Sequence, residues 1–276
     1  MFRKLRNLTC LFCFAIQFPL GCAVAQERAS WSLDASQHKW AKFFPGAWSK
    51  VRVATDSVAP GGTVAHTSLT YRTTTLVAVE PNRYSLKTVT TVEVAGKRME
   101  AKPQIVAYDL LDNLASQETV LREGGTANLI IQQHSVPCHL YLTEASTAAR
   151  KDFTTLYYSA EIAPYILKRQ SRATDAASDA TIEETVEEVH QLQVRRRVLG
   201  RRMWTSHVEI RRTHAKGSSV ADAFWSLEVP GAVVESVMTE SDSDGHVIRR
   251  RTLELMGYGF TAPRRHIRSR HGRRRR

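Results

Sequence analysis

Residues 63–94 read TVAHTSLTYRTTTLVAVEPNRYSLKTVTTVEV. Leu69, Tyr71, Thr73, Thr75, Val77 and Val79 fall on one side of an extended chain. Pro81-Asn82 interrupts the run, and Tyr84, Leu86, Val92 and Val94 then keep a common phase. Side chains alternate across a strand, so a period of two in a β-branched, aromatic segment predicts two long half-buried strands joined by a tight turn. The pattern extends both ways. Upstream, Trp48 to Thr55 alternates and Gly61-Gly62 marks a turn; downstream, Ala95-Gly96 turns the chain into Lys97–Tyr108. The connections are too short for crossover helices, and no Gly-rich phosphate loop follows any strand. This predicts an antiparallel meander rather than a βαβ series.

Elsewhere the pattern is mixed. From Arg28 to Phe44, Leu33, Trp40 and Phe44 share a helical face before Pro45-Gly46, which predicts an N-terminal helix packed on the sheet. Residues 109–128 read as a loop or short helix closed by Gly124-Gly125. In 179–194, Ile182, Val186 and Val189 fit a helix while the Thr/Val/Ile content fits a strand; a strand is the expectation. The second half repeats itself. Tyr158-Ser159-Ala160-Glu161-Ile162 aligns with Trp225-Ser226-Leu227-Glu228-Val229, 67 residues later, and Pro164 or Pro230 follows. Proline cannot donate to a ladder, so each unit (137–170 and 203–237) is expected to be strand, turn, strand, Pro corner, strand. The fold class is therefore mainly β: a curved antiparallel sheet or half-barrel with an N-terminal helix and an internal repeat of hairpin units.

The run from Tyr157-Tyr158-Ser159 to Lys168, the stretch Trp225–Glu235 and Thr252-Leu253-Glu254-Leu255 resemble a group of exported bacterial proteins of unknown function. That group is distantly similar to the periplasmic lipoprotein-carrier superfamily. The resemblance covers residues 40–259 and implies a curved half-barrel closed by helices over an apolar cavity.

The N-terminus carries export signals. Arg3, Lys4 and Arg6 precede an apolar stretch from Leu8 to Leu20, and Ala23-Val24-Ala25 offers a cleavage site before Gln26. Pro19-Leu20-Gly21-Cys22 also resembles a lipobox, so the mature chain is expected to begin at Gln26 or at a lipidated Cys22. The expected organisation is a signal peptide over 1–25, a single β domain over 26–263 and an Arg-rich disordered tail over 264–276. The apolar stretch is too short and interrupted to span a bilayer, so the mature chain is expected not to be transmembrane. After cleavage at Gln26 only Cys138 remains, and the domain is held by its core rather than by disulfides.

The formal net charge of +12 sits at the ends of the 276-residue chain. Three cations precede the first acid. The last thirteen residues hold Arg264, Arg265, Arg268, Arg270, Arg273, Arg274, Arg275 and Arg276 with no acid, which leaves the body one net positive charge. A nearly neutral body argues against specific nucleic-acid binding, while the tail reads as a contact for an anionic surface. Inside the body, Arg195-Arg196-Arg197 and Arg201-Arg202 follow Glu183, Glu184, Glu187 and Glu188, and the two groups are expected to balance on one sheet face.

Catalytic signatures are sparse. A nucleophilic Cys138 would need a cation or a base; His134 and His139 lie close in sequence, but free cysteines are mostly buried structural residues. His134, Cys138 and His139 also lack the ligand number of a metal site. Glu240, Asp242 and Asp244 imitate the start of a calcium loop, but Arg251 stands where a bidentate Glu belongs, so a solvated hairpin turn is expected. No Gly-x-Ser-x-Gly elbow, Walker loop, His-Glu-x-x-His helix or Cys-x-x-Cys pair appears. The sequence thus predicts no catalytic, cofactor or metal residues. Its function is expected to be binding of an apolar or amphipathic cell-envelope ligand in the periplasm or envelope. The alternative is a structural envelope protein tethered to anionic polymers or lipids by its tail, and a hydrolase is the third reading.

Overall fold

The computed structural model describes residues 33–114 and 118–260. The signal region with Cys22, and the tail arginines, lie outside them. Fourteen strands carry the described chain: β1 (Trp48–Val58), β2 (Val64–Glu80), β3 (Arg83–Val94), β4 (Lys97–Glu100), β5 (Gln104–Asp109), β6 (Glu118–Ile131) and β7 (His134–Ser146), then β8 (Arg150–Tyr158), β9 (Ile166–Asp175), β10 (Thr181–Val198), β11 (Arg201–His214), β12 (Gly217–Trp225), β13 (Val233–Asp242) and β14 (Val247–Gly259). They form one antiparallel sheet in the order β4-β3-β2-β1-β14-β13-β12-β11-β10-β9-β8-β7-β6, with β5 beside β4 on the same edge of β3. Pro103, which has no N–H to give a ladder, falls in the gap between those two edge strands. The mainly β fold expected from the alternation is present, and residues 181–198 are a strand.

The sheet is strongly curved. β5 ends on one edge and β6 begins the opposite edge, and only eight residues link them. A flat sheet of thirteen strands would hold those edges about 58 Å apart, while the link reaches at most about 31 Å. The core says the same. Leu76 of β2 and Tyr84 of β3 pack in one cluster with Tyr141 of β7 and Leu156 and Tyr158 of β8, from the other end of the strand order. What joins them is the segment 33–47, whose Leu33, Trp40, Ala41 and Ala47 plug the concave side.

That plug is not the expected helix. Its described part holds only a 3₁₀ turn, Ala35–Gln37, capped by the Asp34 carboxylate on the Ser36 N–H at 2.8 Å. His38 is extended, and its Nδ1 accepts from the Trp40 and Ala41 N–H groups at 3.1 and 3.0 Å. A side chain that takes these donors replaces the ladder a helix would build. The apolar residues then bury singly instead of as a helical stripe, and among the described residues there is none of the α-helices that the carrier resemblance implies.

Residues 109–128 also differ from expectation. Asp109 accepts from the Leu111 and Asn113 N–H groups, both at 2.8 Å, and closes a tight turn. β6 follows, and Gly124-Gly125 sits inside it at a register shift between Glu123 and Gly125, not at a segment end. A Cβ on Gly124 would stand 3.2 Å from both Leu140 and Leu142, so the glycine lets two backbones approach. In β2 the phase also needs correcting. Leu76 is fully buried while Val77 is exposed, and a register shift between Leu76 and Ala78 turns Val79 back towards the core.

The chain reverses at two corners, 159–165 between β8 and β9 and 226–232 between β12 and β13. Ser159 N–H donates to Tyr165 O and Tyr165 N–H to Ile162 O, both at 2.8 Å. Ser226 N–H donates to Ala232 O at 2.7 Å and Ala232 N–H to Val229 O at 2.8 Å. Tyr165 and Ala232 both have positive φ. The expected repeat places these atoms in register, 67 residues apart.

Candidate functional site: a cleft between plug and corners

The two corners stand side by side at one end of the sheet, and the plug runs past them. Between them opens a cleft of about 840 Å³. Lys42 and Phe43 of the plug, Ile162 of the first corner, Leu227 of the second, Trp204 and Phe260 are among the residues that line it. Ligand sites span about 300–1,000 Å³; this cleft has that size, and apolar and polar side chains share its lining. Phe43 stacks on Phe260 with centroids 5.3 Å apart, and Tyr258 meets Phe260 edge-on at 5.6 Å. Phe260 is nonetheless 57% exposed, so the aromatic wall has a free face.

Polar groups share the lining: Gln193, Thr205, Ser206 and Ser226 are neutral, and Lys42, Glu161, Arg201 and Glu228 bring charges of both signs. Lys42 Nζ lies 5.1 Å from the Phe43 ring centre. Burial pulls its ammonium below the usual lysine range, and Glu228 opposes that pull. Glu161, Glu228 and Arg201 stand exposed around the mouth. The cleft therefore offers an aromatic wall and a part-polar interior, with mixed charge at its rim.

Trp225 separates the cleft from a polar centre under the plug. There Asp112 Oδ1 accepts from Tyr84 Oη at 2.5 Å and from His38 Nε2 at 3.2 Å, while Oδ2 meets Lys39 Nζ at 2.7 Å and an Arg169 nitrogen at 3.6 Å. Because His38 Nδ1 already accepts two backbone donors, its proton belongs on Nε2, facing Asp112. Burial alone would raise the Asp112 carboxyl, but Lys39, the His38 hydrogen bond and Arg169 together hold it well below the carboxylate range. Burial, then Asp112 itself, pushes the Tyr84 phenol far above its normal value. These groups lock the plug onto the sheet. Sequence reading missed this centre, because its members come from positions 38, 39, 84, 112 and 169 and no local spacing links them.

The candidates read from sequence fall as follows. Cys138 is 2% exposed, packed among Leu129, Ile131 and Val136, and burial pushes its thiol up. His134 and His139 are exposed, and His134 spends its ring on Gln132 O at 2.8 Å, so nothing activates the thiol. Asp242 Oδ1 accepts from the Asp244 and His246 N–H groups at 3.0 and 2.9 Å and shapes the turn before β14. The expected balance of the inner arginines against Glu183–Glu188 is not what forms. Glu183 pairs with Arg212 and Glu188 with Lys168, while Arg196 alone of the basic cluster finds a carboxylate, that of Glu235. Cys22 and Arg264–Arg276 lie outside the described residues, and among the described residues no helix is long and apolar enough to cross a membrane.

No family model matches the chain, and no curated protein is significantly similar to it. Three solved structures are similar in outline. A candidate lipoprotein from Parabacteroides distasonis shares 10% identity over 79% of this chain and 98% of its own, with a TM-score of 0.34. A candidate exported protein with a YMCC-like fold from Bacteroides fragilis shares 9% over 78% and 97%, with a TM-score of 0.32. A DUF1329 family protein from Desulfovibrio piger shares 8% over 79% and 86%, also with a TM-score of 0.32. TM-scores near one third carry no functional inference for this chain.

Proposed function

We propose that this chain is an exported, non-catalytic binding protein whose cleft holds an apolar or amphipathic ligand of the cell envelope. The observation that carries the reading is the aromatic-walled cleft of about 840 Å³ between plug and corners. Its aromatic and aliphatic wall suits hydrocarbon, and its polar lining and the mixed charges at its mouth suit a polar head. The basic start, apolar stretch and Ala23-Val24-Ala25 support export to the periplasm or envelope.

An environment-sensitive apolar dye tests the reading. It should bind saturably and be displaced by a single-chain fatty acid or lysophospholipid. Phe260→Ala should weaken dye binding several-fold, in line with the roughly 0.5–1.5 kcal/mol an aromatic contact contributes beyond its area. Since Phe260 is exposed, the variant should melt like wild type. Dye binding that is absent, or indifferent to Phe260, overturns the proposal.

A further inference from the structure

β10 and β11 outrun their neighbours. β9 pairs with β10 only up to Glu188, and β12 pairs with β11 only from Ser206 onward. Residues 190–205 thus form a two-stranded arm without a sheet neighbour on either flank. The tip is Leu199-Gly200, both at positive φ. One face of the arm packs inward: Val198 and Met203 are buried against Val51, Val229, Val234 and Leu255, and Arg196 lies over Phe224 at 3.9 Å and pairs with Glu235.

The other face is different. Arg195 stands opposite Trp204, and Arg197 opposite Arg202. All four are exposed; Trp204 is 49% and the tip residue Leu199 48% accessible. Arg195 stacks on the Trp204 ring at 4.4 Å. No acidic residue occurs between Glu188 and Glu209, and among the described residues Arg195, Arg197, Arg201 and Arg202 form no ion pair. Like charges directly opposite on a ladder repel, so Arg197 and Arg202 cost the arm stability unless an anion lies against both. Arginine heads beside an exposed tryptophan and a leucine tip match a surface with anionic groups above an apolar layer.

We infer that the outer face of this arm docks on an anionic phospholipid surface, with Arg195, Arg197 and Arg202 at the headgroups and Trp204 and the tip residue Leu199 entering the interface. The inference does not depend on what the cleft holds. Trp204 and Arg201 also border the cleft, so docking would bring its mouth to the membrane.

The test uses the full chain and vesicles of phosphatidylglycerol and phosphatidylcholine, some with brominated acyl chains, against phosphatidylcholine alone. Partition is read by co-flotation and insertion by quenching of tryptophan fluorescence. The variants are R195S/R197S/R202S and W204F, whose altered residues are exposed, with thermal melts to confirm folding. Both keep the C-terminal arginines, so any partition through the tail is common to all samples. The triple variant should partition into anionic vesicles at least about tenfold more weakly, since each basic residue at such a surface contributes up to about fivefold. W204F should lose most of the bromine quenching while still floating. Equal partition of the triple variant and wild type overturns the inference, as does quenching that survives W204F. Arm-dependent retention on heparin without vesicle binding also overturns it and assigns the arm to a polyanion. Dye binding measured without vesicles reads the cleft separately.

Discussion

Asp112 is the residue on which the interior is most sharply poised. Its side chain is only 21% exposed, and it faces Lys39, His38, Tyr84 and Arg169 from three separate parts of the chain. A charge taken out of water is tolerable only when it is paired and hydrogen-bonded, and removing one partner strands the other. Asp112→Asn should therefore cost about 3 kcal/mol, the low end for a broken buried pair because Lys39 is one-third exposed. The pH dependence has a definite sign. The folded carboxyl titrates below its unfolded value, so its stabilisation is fully present above the unfolded pKa of about 3.9 and is lost as pH falls towards the folded value. Denaturant melts should show a constant gap between wild type and Asp112→Asn from pH 7 to 5 and a shrinking gap below pH 4. A gap unchanged at acid pH would show that the aspartate is not the charged partner.

At the scale of elements, the plug is held by backbone fit as much as by apolar burial. Gly231, in the second corner, has a φ of 85° and donates its N–H to Lys39 O at 3.0 Å. A Cβ there would stand 2.7 Å from the Trp40 ring. Gly231→Ala combines a left-handed backbone with a clash against a buried indole, so it should cost more than about 1 kcal/mol and disturb Trp40. Gly61→Ala is the control: its φ is also positive, but no atom lies within 4 Å of the added carbon. Thermal melts with near-ultraviolet circular dichroism compare them, and equal losses would mean that the Trp40 contact adds nothing. The contrast explains what the sequence reveals about elements. Strands announce themselves because a period of two is local, as in 63–94. The plug does not, because His38 replaces helical hydrogen bonds with side-chain ones and the apolar residues fit a cavity formed by distant strands. β6 was obscured by its two glycines, which permit close backbone approach inside a strand but read locally as a turn. The cleft was legible only as an expectation that a curved sheet leaves apolar surface to cover; its lining comes from positions 42–43, 161–164, 192–193, 201, 204–206, 225–228, 258 and 260, which only the sheet order and its curvature bring together.

For the whole molecule, the decisive join is β1 with β14. The chain lays down β1 to β5 towards one edge, starts again at the far edge with β6, and returns strand by strand until β14 pairs with β1 from Ser57↔Arg249 to Trp48↔Gly259. The last strand thus unites two meanders that are otherwise linked by the plug and the chain around 110–117. Leu255 of β14 also packs with Val51 and with Met203 of the arm. A chain ending at His246 lacks this strand, exposes two long edges and opens the core, so it should lose the cooperative melt and aggregate. A chain ending at Pro263 keeps every strand and should melt like the full chain. It should differ only in charge, because it loses eight arginines from a molecule of net charge +12. On heparin at low salt the shorter chain should elute earlier, and the difference should shrink as salt screens the arginines. Retention that is unchanged by this truncation would remove the tail from the list of anionic contacts and leave the β10–β11 arm to account for all of it. Melting that is unchanged by loss of β14 would instead mean that the two meanders fold and persist without being joined.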